Sequence, residues 1–273
     1  TGNNLNEIFA SLEEKNIYFP KAMKLIFNVS GIDKKIYLGK YKIDINDSLI
    51  DIFKNIYFGK IILKKFIINE GSKITDLFSN EIIKRFCQTV NFQNECELEG
   101  YAKPDVYLYD REIELLSILK KSIENQMADL NKSWNERNSK LVNFSKKEIL
   151  IIASILEKES CANEREKISG VIYNRLKNNM LLQMDSTTIY GLKDFNGNLK
   201  KKDLRDSSLY NTYMHKGLPP GPISNPSRNS IFAAAQPEEH DYLYFVAKDK
   251  CSHEFSTNYD DHLKAVKKYQ LRQ

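Results

Sequence analysis

The sequence lacks several features that would each point to a special class of protein. It has no unbroken apolar run near the roughly 18 residues that a membrane-spanning helix needs. Its seven prolines and eleven glycines are too few, in 273 residues, for a collagen or a low-complexity chain. Basic residues exceed acidic ones by only five, 41 Lys and Arg against 36 Asp and Glu, and they are spread along the whole chain. The composition therefore predicts a folded protein that binds no nucleic acid.

Metal-binding and leader motifs are missing as well. The four cysteines have no CxxC spacing and the four histidines are scattered, so we predict no metal site. Cys87 and Cys96 are near enough in sequence to form a disulfide in an oxidising compartment, and they are equally compatible with two buried thiols. The chain begins at Thr1 with neither a Met nor an apolar leader, so we expect any signal or membrane anchor to lie outside it.

The front of the chain contains short elements followed by one long helix. Three segments that resemble the first turns of helices begin at Leu5, Leu49 and Ile74, and strand-like runs at 40–43 and 65–68 precede the last two. Apolar residues at helical spacing then predict a long amphipathic helix from about 111 to 139.

A second region begins at a capping box. Ser145 and Glu148 have the spacing of that motif and open an apolar run over 149–156. We predict a second helix start at Asn163, so that two helices meet around Ser160.

The rest of the chain is richer in strands and loops. Residues 181–185 are predicted as a short strand, and 218–226 is too rich in proline to be a helix or a central strand. Residues 243–247 and 253–255 are predicted to form a hairpin, followed by a closing helix from Tyr259. These patterns predict an α+β fold in three parts, at 1–66, 67–144 and 145–273.

Two carboxylates near the end of the first apolar helix are the best candidates for chemistry. Glu157 and Glu159 lie about 200° apart on a helix, so they cannot line one cleft as a close pair. Glu159 falls between Ile152 and Ile155 on the helical wheel and is predicted to be the more deeply placed of the two. Apolar surroundings disfavour a charged carboxyl, which raises its pKa and makes it a usable general acid. The other interpretation is a frayed helix end with two solvated glutamates.

A series of short motifs occurs along the chain in a specific order. One of them is ASILEKES, at residues 153–160. Further motifs lie at 171–176, 182–187, 190–191, 210–213, 217–223, 225–226, 233–234 and 244–246, with His253, Phe255 and His262 at the end. Upstream motifs lie at 68–71 and 98–101, with Pro104, Asp105 and Tyr107. In this order, over roughly residues 40 to 270, they resemble the YceG-like family of endolytic murein transglycosylases.

The resemblance implies a lytic cleavage of peptidoglycan with Glu159 as the acid. Such an enzyme cuts between N-acetylmuramic acid (MurNAc) and N-acetylglucosamine (GlcNAc) without water and leaves a 1,6-anhydromuramic acid end, which terminates a growing glycan strand. Hydrolysis normally needs two carboxylates about 5 to 9 Å apart. Because Glu157 and Glu159 are predicted to face different ways, the single-acid reaction fits this helix better.

The resemblance also implies sugar-binding positions, whose amide, carboxyl, hydroxyl, aromatic and proline groups could orient a glycan. The predicted substrate-binding residues are Gln183, Asp185, Thr187, Tyr190, Asn211, Thr212, Tyr213, Pro219 and Asn225. His253 and His262 are predicted to be structural. Replacement of Gln183 or Asn211 by Ala is expected to reduce cleavage while folding survives.

The sequence departs from the family pattern at a few positions. Ser186 stands where proline is common, and Lys250 and Cys251 stand where glycine is usual. None of these departures is expected to touch Glu159.

The resemblance further implies where and with what the protein works. Residues 1–66 resemble a LysM-like region, which would dock on glycan. Peptidoglycan glycan strands are the implied substrate, cell-wall synthases the implied protein partners, and a single N-terminal membrane helix absent from this chain the implied anchor. The protein would then be held at the inner membrane, with this portion facing the periplasm or the cell exterior.

Two other function classes are weighed against the lytic enzyme. The first is a non-catalytic peptidoglycan-binding module. The second is a pyridoxal-phosphate lyase, because the family has also carried an aminodeoxychorismate lyase label. That chemistry needs a phosphate cradle, and the sequence has no Gly-rich phosphate loop, so no cofactor is predicted.

Overall fold

The computed structural model describes residues 5–21, 24–25, 39–44, 46–90, 96–110 and 115–271. The helices in these ranges are α1 (Leu5–Glu13), α2 (Leu49–Tyr57), α3 (Ile74–Leu77), α4 (Asn80–Thr89), α5 (Leu115–Asn135), α6 (Lys146–Glu159), α7 (Arg165–Lys177), α8 (Asp185–Gly191), α9 (Arg228–Ala235) and α10 (Tyr259–Tyr269). The strands are β1 (Lys64–Ile68), β2 (Asp105–Tyr109), β3 (Tyr244–Ala247) and β4 (His253–Ser256), which pair as β1–β2 and β3–β4. Helices with small sheets confirm the predicted α+β class.

The chain divides into two compact units, residues 1–66 with 107–114, and residues 67–106 with 115–273. The three-part division at 66 and 144 stays a prediction. In the part of the chain that the structure describes, no helix is both long and apolar enough to cross a membrane.

The first unit has its own small core, in which α1 and α2 contribute Phe9, Ile52 and Ile56. The predicted strand at 40–43 is wrong, because only a single bridge forms there, between Tyr41 and Ile61. The predicted helices beginning at Leu5 and Leu49 are confirmed.

Helix α6 is the centre of the second unit. Every residue from Ile149 to Leu156 is buried, and α9 packs against α5, α6 and α7. The predicted capping box is confirmed, since Glu148 N donates to Ser145 Oγ at 3.2 Å and Ser145 N donates to Glu148 Oε2 at 2.7 Å. The long helix predicted over 111–139 is confirmed as α5, with its first residues, 111–114, outside the described ranges.

The proline-rich segment at 218–226 is an ordered loop that is fastened to α6. Ile223 N donates to Ser154 Oγ at 3.0 Å, and Ser224 Oγ donates to the Ser154 carbonyl at 3.1 Å. Burial of a serine inside α6 thus supplies the polar partners that a loop without regular structure requires.

The short strand predicted at 181–185 is wrong. Leu182 and Met184 are both buried, which gives the alternating pattern of a strand, but Gln183 between them has a φ of 51°. That left-handed conformation breaks an extended run, and α8 begins directly afterwards at Asp185.

The predicted hairpin near the end of the chain is confirmed. Strands β3 and β4 are antiparallel, with Phe245 opposite Phe255 and Ala247 opposite His253. The predicted closing helix is α10, whose first turn is capped by Asn258.

Two disulfides lie in the second unit. Cys87 and Cys96 form the bridge that the sequence left open, with Cα atoms 5.9 Å apart. Cys161 and Cys251, which are 90 residues apart in sequence, form a second bridge that spacing alone did not reveal. This second bridge ties the segment after α6 to the turn between β3 and β4.

Candidate active site

Glu159 is the last residue of α6 and faces a cavity of about 500 Å³. The cavity is bounded by the loop before α8, by β3 and β4, and by α10. Its polar lining is formed by Glu159, Arg175, Gln183, Asp185, Tyr213, Tyr244, His253, Tyr259, His262 and Gln270. A carboxyl group thus lies in a concave site of the size that proteins use for small ligands.

Ser186, in the first turn of α8, binds the Glu159 carboxyl through two donors. Its Oγ donates to Glu159 Oε1 at 2.5 Å, and its backbone N–H donates to the same oxygen at 3.2 Å. The expectation that no departure from the family pattern touches Glu159 is therefore wrong. A serine differs here from a proline because it provides both a hydroxyl and an N–H donor.

Burial raises the pKa of Glu159 above the ordinary value of a glutamate. The two hydrogen bonds from Ser186 act in the opposite direction, the nearby Asp185 carboxylate raises the pKa further, and His253 lowers it. Desolvation is the largest of these effects, so Glu159 holds its proton to a higher pH than a solvated glutamate does.

Glu157 has a different environment on the other side of α6. Arg165 Nη2 lies 3.2 Å from Glu157 Oε1, and the second oxygen accepts hydrogen bonds from Ser227 and Ser230. The Glu157 side chain is only 5% exposed, and both glutamates, taken as whole residues, are half-buried. The prediction that the two glutamates face different ways is confirmed, and the prediction that Glu159 is the deeper of the two stays a prediction.

Three of the predicted substrate-binding residues lie around the same cavity as Glu159. Gln183 is exposed in the loop before α8, Asp185 is exposed as the first residue of α8, and Tyr213 lies beside them. Tyr213 Oη donates to Asp185 Oδ1 at 2.6 Å, which holds the two side chains together.

Four other predicted residues are buried and satisfied within the protein. Asn211 Oδ1 accepts from Thr188 Oγ1 and Tyr213 N, while its Nδ2 donates to two backbone carbonyls. Thr187 and Thr212 share a hydrogen bond of 2.8 Å, and Asn225 accepts from Ala102 N and donates to the Ser72 carbonyl. The lining of the Glu159 cavity includes none of these four residues.

Tyr190 and Pro219 lie away from the cavity of Glu159. Tyr190 Oη donates to Glu99 Oε2 at 3.3 Å, and its ring packs against Tyr210 with 4.7 Å between centroids. Pro219 lines a separate cavity of about 380 Å³, together with residues at the start of α6. The structure therefore brings these two residues to other surfaces.

Arg175, on α7, is a component that sequence reasoning did not select. Its Nε donates to the Leu243 carbonyl at 2.6 Å and its Nη1 to the Leu182 carbonyl at 2.7 Å, so one side chain braces two walls of the cavity. The sequence did contain a signal for this role, because Arg175 falls among the apolar positions of α7. A buried guanidinium needs several hydrogen-bond acceptors, which predicts that it joins neighbouring segments.

His253 and His262 both line the cavity. His253 Nδ1 lies 2.7 Å from Glu164 Oε2, and the His253 N–H donates to the other oxygen of that carboxylate at 3.2 Å. His262 stacks on Tyr244 with 5.2 Å between centroids, and burial lowers its pKa. These contacts fix both rings in place.

Known proteins resemble this chain over most of its length. A sequence model of the YceG-like family matches residues 1–268. The chain is 37% identical over 203 residues to the endolytic murein transglycosylase of Bacillus subtilis strain 168, which covers 71% of this chain and 55% of that protein. It is 33% identical over 156 residues to the endolytic murein transglycosylase of Streptococcus pneumoniae strain D39, which covers 55% of this chain and 28% of that protein.

A solved structure has a similar fold. The crystal structure of a YceG-like protein from Listeria monocytogenes matches with a TM-score of 0.65 and 27% sequence identity, over 96% of this chain and 95% of that one. The matched regions make up about half or less of the full lengths of the two enzymes named above.

Proposed function

The chain belongs to the YceG-like family, and we propose that it is an endolytic lytic transglycosylase that cuts the glycan strands of peptidoglycan. Its products would carry 1,6-anhydromuramic acid ends, and cleavage of nascent strands would terminate their elongation. The names of the relatives support this reaction class.

The observation that carries the proposal is the contrast between the two glutamates at the end of α6. Glu157 is bound to Arg165 and two serines, so its carboxylate is fully occupied by the protein. Glu159 faces an open cavity, and burial raises its pKa toward the range in which a carboxylic acid can act as a proton donor. The site therefore supplies one available acid.

A single carboxyl group can serve both steps of the proposed reaction. Glu159 donates its proton to the glycosidic oxygen that leaves with GlcNAc, while the bond from that oxygen to C1 of MurNAc breaks. The resulting carboxylate accepts the proton of the MurNAc C6 hydroxyl, whose oxygen bonds to C1. Glu159 regains its proton, the ring closes to the 1,6-anhydro product, and no water is consumed.

The residues around Glu159 have the groups needed to orient a sugar. Gln183 offers an exposed amide, while Asp185 and Tyr213 offer a hydrogen-bonded carboxylate and hydroxyl. Hydroxyl and N-acetyl groups of a glycan pair with such donors and acceptors. We propose these three residues as the substrate contacts closest to the acid.

Two disulfides support action outside the cytoplasm, because such bridges persist in oxidising compartments. We propose that the full-length protein is anchored in the membrane by a helix outside this chain and works beside cell-wall synthases. Residues 1–66 would dock on glycan as a LysM-like region, and 145–273 would carry the catalysis.

Product analysis tests this function. The protein is incubated with uncrosslinked glycan strands, and the fragments are identified by mass spectrometry. Fragments that end in 1,6-anhydromuramic acid are the expected result. Free reducing ends would instead indicate a hydrolase, for which Asp185 is the second carboxylate in the cavity. Glycan that is retained without being cut would indicate a binding module.

A further inference from the structure

Ser186 makes the closest contacts to the proposed acid, and both contacts go to one oxygen. The hydroxyl and the backbone N–H of this residue converge on Glu159 Oε1. Among the residues that the structure describes, none donates a hydrogen bond to Glu159 Oε2. The two oxygens of the carboxyl group are therefore unequal before any substrate binds.

This inequality determines where the proton of the neutral acid lies. The Ser186 N–H can only donate, and the Ser186 hydroxyl donates to the same oxygen, so this arrangement favours Oε1 as the carbonyl oxygen of the neutral acid, which is the better acceptor. The proton is thus carried by Oε2. An acid whose proton is already placed on one oxygen needs no reorientation before it donates.

We propose that Ser186 is a positioning residue that holds the proton of Glu159 on Oε2 and, through its two hydrogen bonds to Oε1, stabilises the carboxylate that forms when the proton is donated. The second effect follows because hydrogen-bond donors stabilise the carboxylate more than the neutral acid. Burial pushes the pKa up and Ser186 pulls it back, so the same carboxyl group can release a proton and then take one up. This proposal rests on the proposed function of Glu159.

Other charged and titratable groups face the same carboxyl from the surrounding elements. They are Asp185 at the start of α8, Tyr213 in the following loop, Arg175 on α7, Tyr244 on β3, His253 on β4, and Tyr259 and His262 on α10. Ser186 differs from all of them because it has direct hydrogen bonds to Glu159 and does not itself titrate in the relevant range.

The first test measures the acid directly and does not depend on turnover. Protein labelled with ¹³C at the glutamate carboxyl carbon is titrated by NMR, and the Glu159 signal is assigned by its absence in Glu159→Gln. In Ser186→Ala, which loses the hydroxyl, the pKa of Glu159 is expected to rise. In Ser186→Pro, which loses both donors and places proline in the tolerated first turn of a helix, it should rise further. An unchanged pKa in both variants would overturn the proposal.

The second test separates positioning from a general structural role. In Ser186→Ala we expect kcat on glycan strands to fall about tenfold to a hundredfold with little change in KM, since an oriented group is lost while the substrate contacts remain. The alkaline limb of the kcat profile should move to higher pH. Ser186→Thr, which keeps the hydroxyl, should restore both properties. Failure of Thr to restore them would contradict the proposal.

Matched variants control for serine replacement itself. Ser117→Ala removes an exposed serine hydroxyl on α5 and should change neither the pKa of Glu159 nor kcat. Ser186→Gly provides a second hydroxyl-free variant in case Ser186→Ala folds poorly. If the wild type shows no cleavage, the proposed function fails, and the NMR titration still decides whether Ser186 controls the Glu159 carboxyl.

Discussion

Arg165 and Glu157 form an ion pair that is almost completely buried, with 3.2 Å between Nη2 and Oε1 and side-chain exposures of 10% and 5%. The pair joins the start of α7 to the end of α6. Two serines at the beginning of α9 also donate to this carboxylate, so three helices meet at one group. The pair therefore holds in place the end of α6, which carries the proposed acid two residues later on a different face of the helix.

Loss of the Glu157 carboxylate should lower the free energy of unfolding of the protein. Glu157→Ala leaves Arg165 buried without its partner, and breaking a buried pair in this way costs about 3–5 kcal/mol of stability. Urea denaturation followed by circular dichroism measures the change. Glu159→Gln serves as the control, because the amide still accepts the Ser186 donors, and it should not lose stability. Equal stability of Glu157→Ala and wild type would contradict the structural role.

Two predicted substrate residues should behave differently when each is changed to alanine. Asn211 is buried and bonded through both side-chain atoms, so Asn211→Ala should cost about 2–4 kcal/mol by leaving partners unsatisfied. Gln183 is exposed in the cavity, so Gln183→Ala should keep its stability and lose cleavage activity. Thermal unfolding and product release, measured on both variants, check this. A stable Asn211→Ala would show that its hydrogen bonds are not needed for folding.

The bridge between Cys161 and Cys251 should stabilise the protein more than the bridge between Cys87 and Cys96. The first closes 90 residues and the second 9, and loop-closure entropy grows with the length closed, reaching about 4.5 kcal/mol for the longer loop. The two double serine variants, compared in the same denaturation experiment, provide matched controls for each other. A larger loss from the shorter bridge would contradict this order.

The pH dependence of stability should report the raised pKa of Glu159. The folded state holds the Glu159 proton more tightly than the unfolded state does. Protonation of Glu159 therefore stabilises the fold fully at a pH below the pKa of Glu159 in the unfolded chain, and this stabilisation is lost as the pH rises through its pKa in the folded protein. Glu159→Gln carries no such proton. We therefore expect the variant to gain stability relative to wild type between acid and neutral pH. A constant difference across that range would contradict a raised pKa.

The sequence predicted those parts of the fold whose signal is local. The capping box at Ser145, the hairpin from 243 to 255 and the closing helix from Tyr259 are each specified by neighbouring residues. The strand expected at 181–185 failed because the positive φ of Gln183 depends on its backbone hydrogen bond to the Thr212 carbonyl, 29 residues away.

In the candidate site, too, the features with a local signal were predicted and those that depend on long-range contacts were not. Helical geometry separated Glu157 from Glu159, and the motifs selected Glu159, Gln183, Asp185 and Tyr213, which the structure brings to one cavity. The burial of Asn211 and the contact from Ser186 to Glu159 arise from long-range packing. No spacing in the sequence could reveal them.

A comparison of three variants on one substrate tests most directly whether a single acid carries the reaction. Wild type, Glu159→Gln and Asp185→Asn are incubated with uncrosslinked glycan strands, and anhydro and reducing ends are counted by mass spectrometry. We expect anhydro ends from wild type, none from Glu159→Gln, and a reduced but measurable yield from Asp185→Asn. Formation of anhydro ends by Glu159→Gln at the wild-type rate would contradict the account. So would free reducing ends from wild type together with complete loss of cleavage in Asp185→Asn.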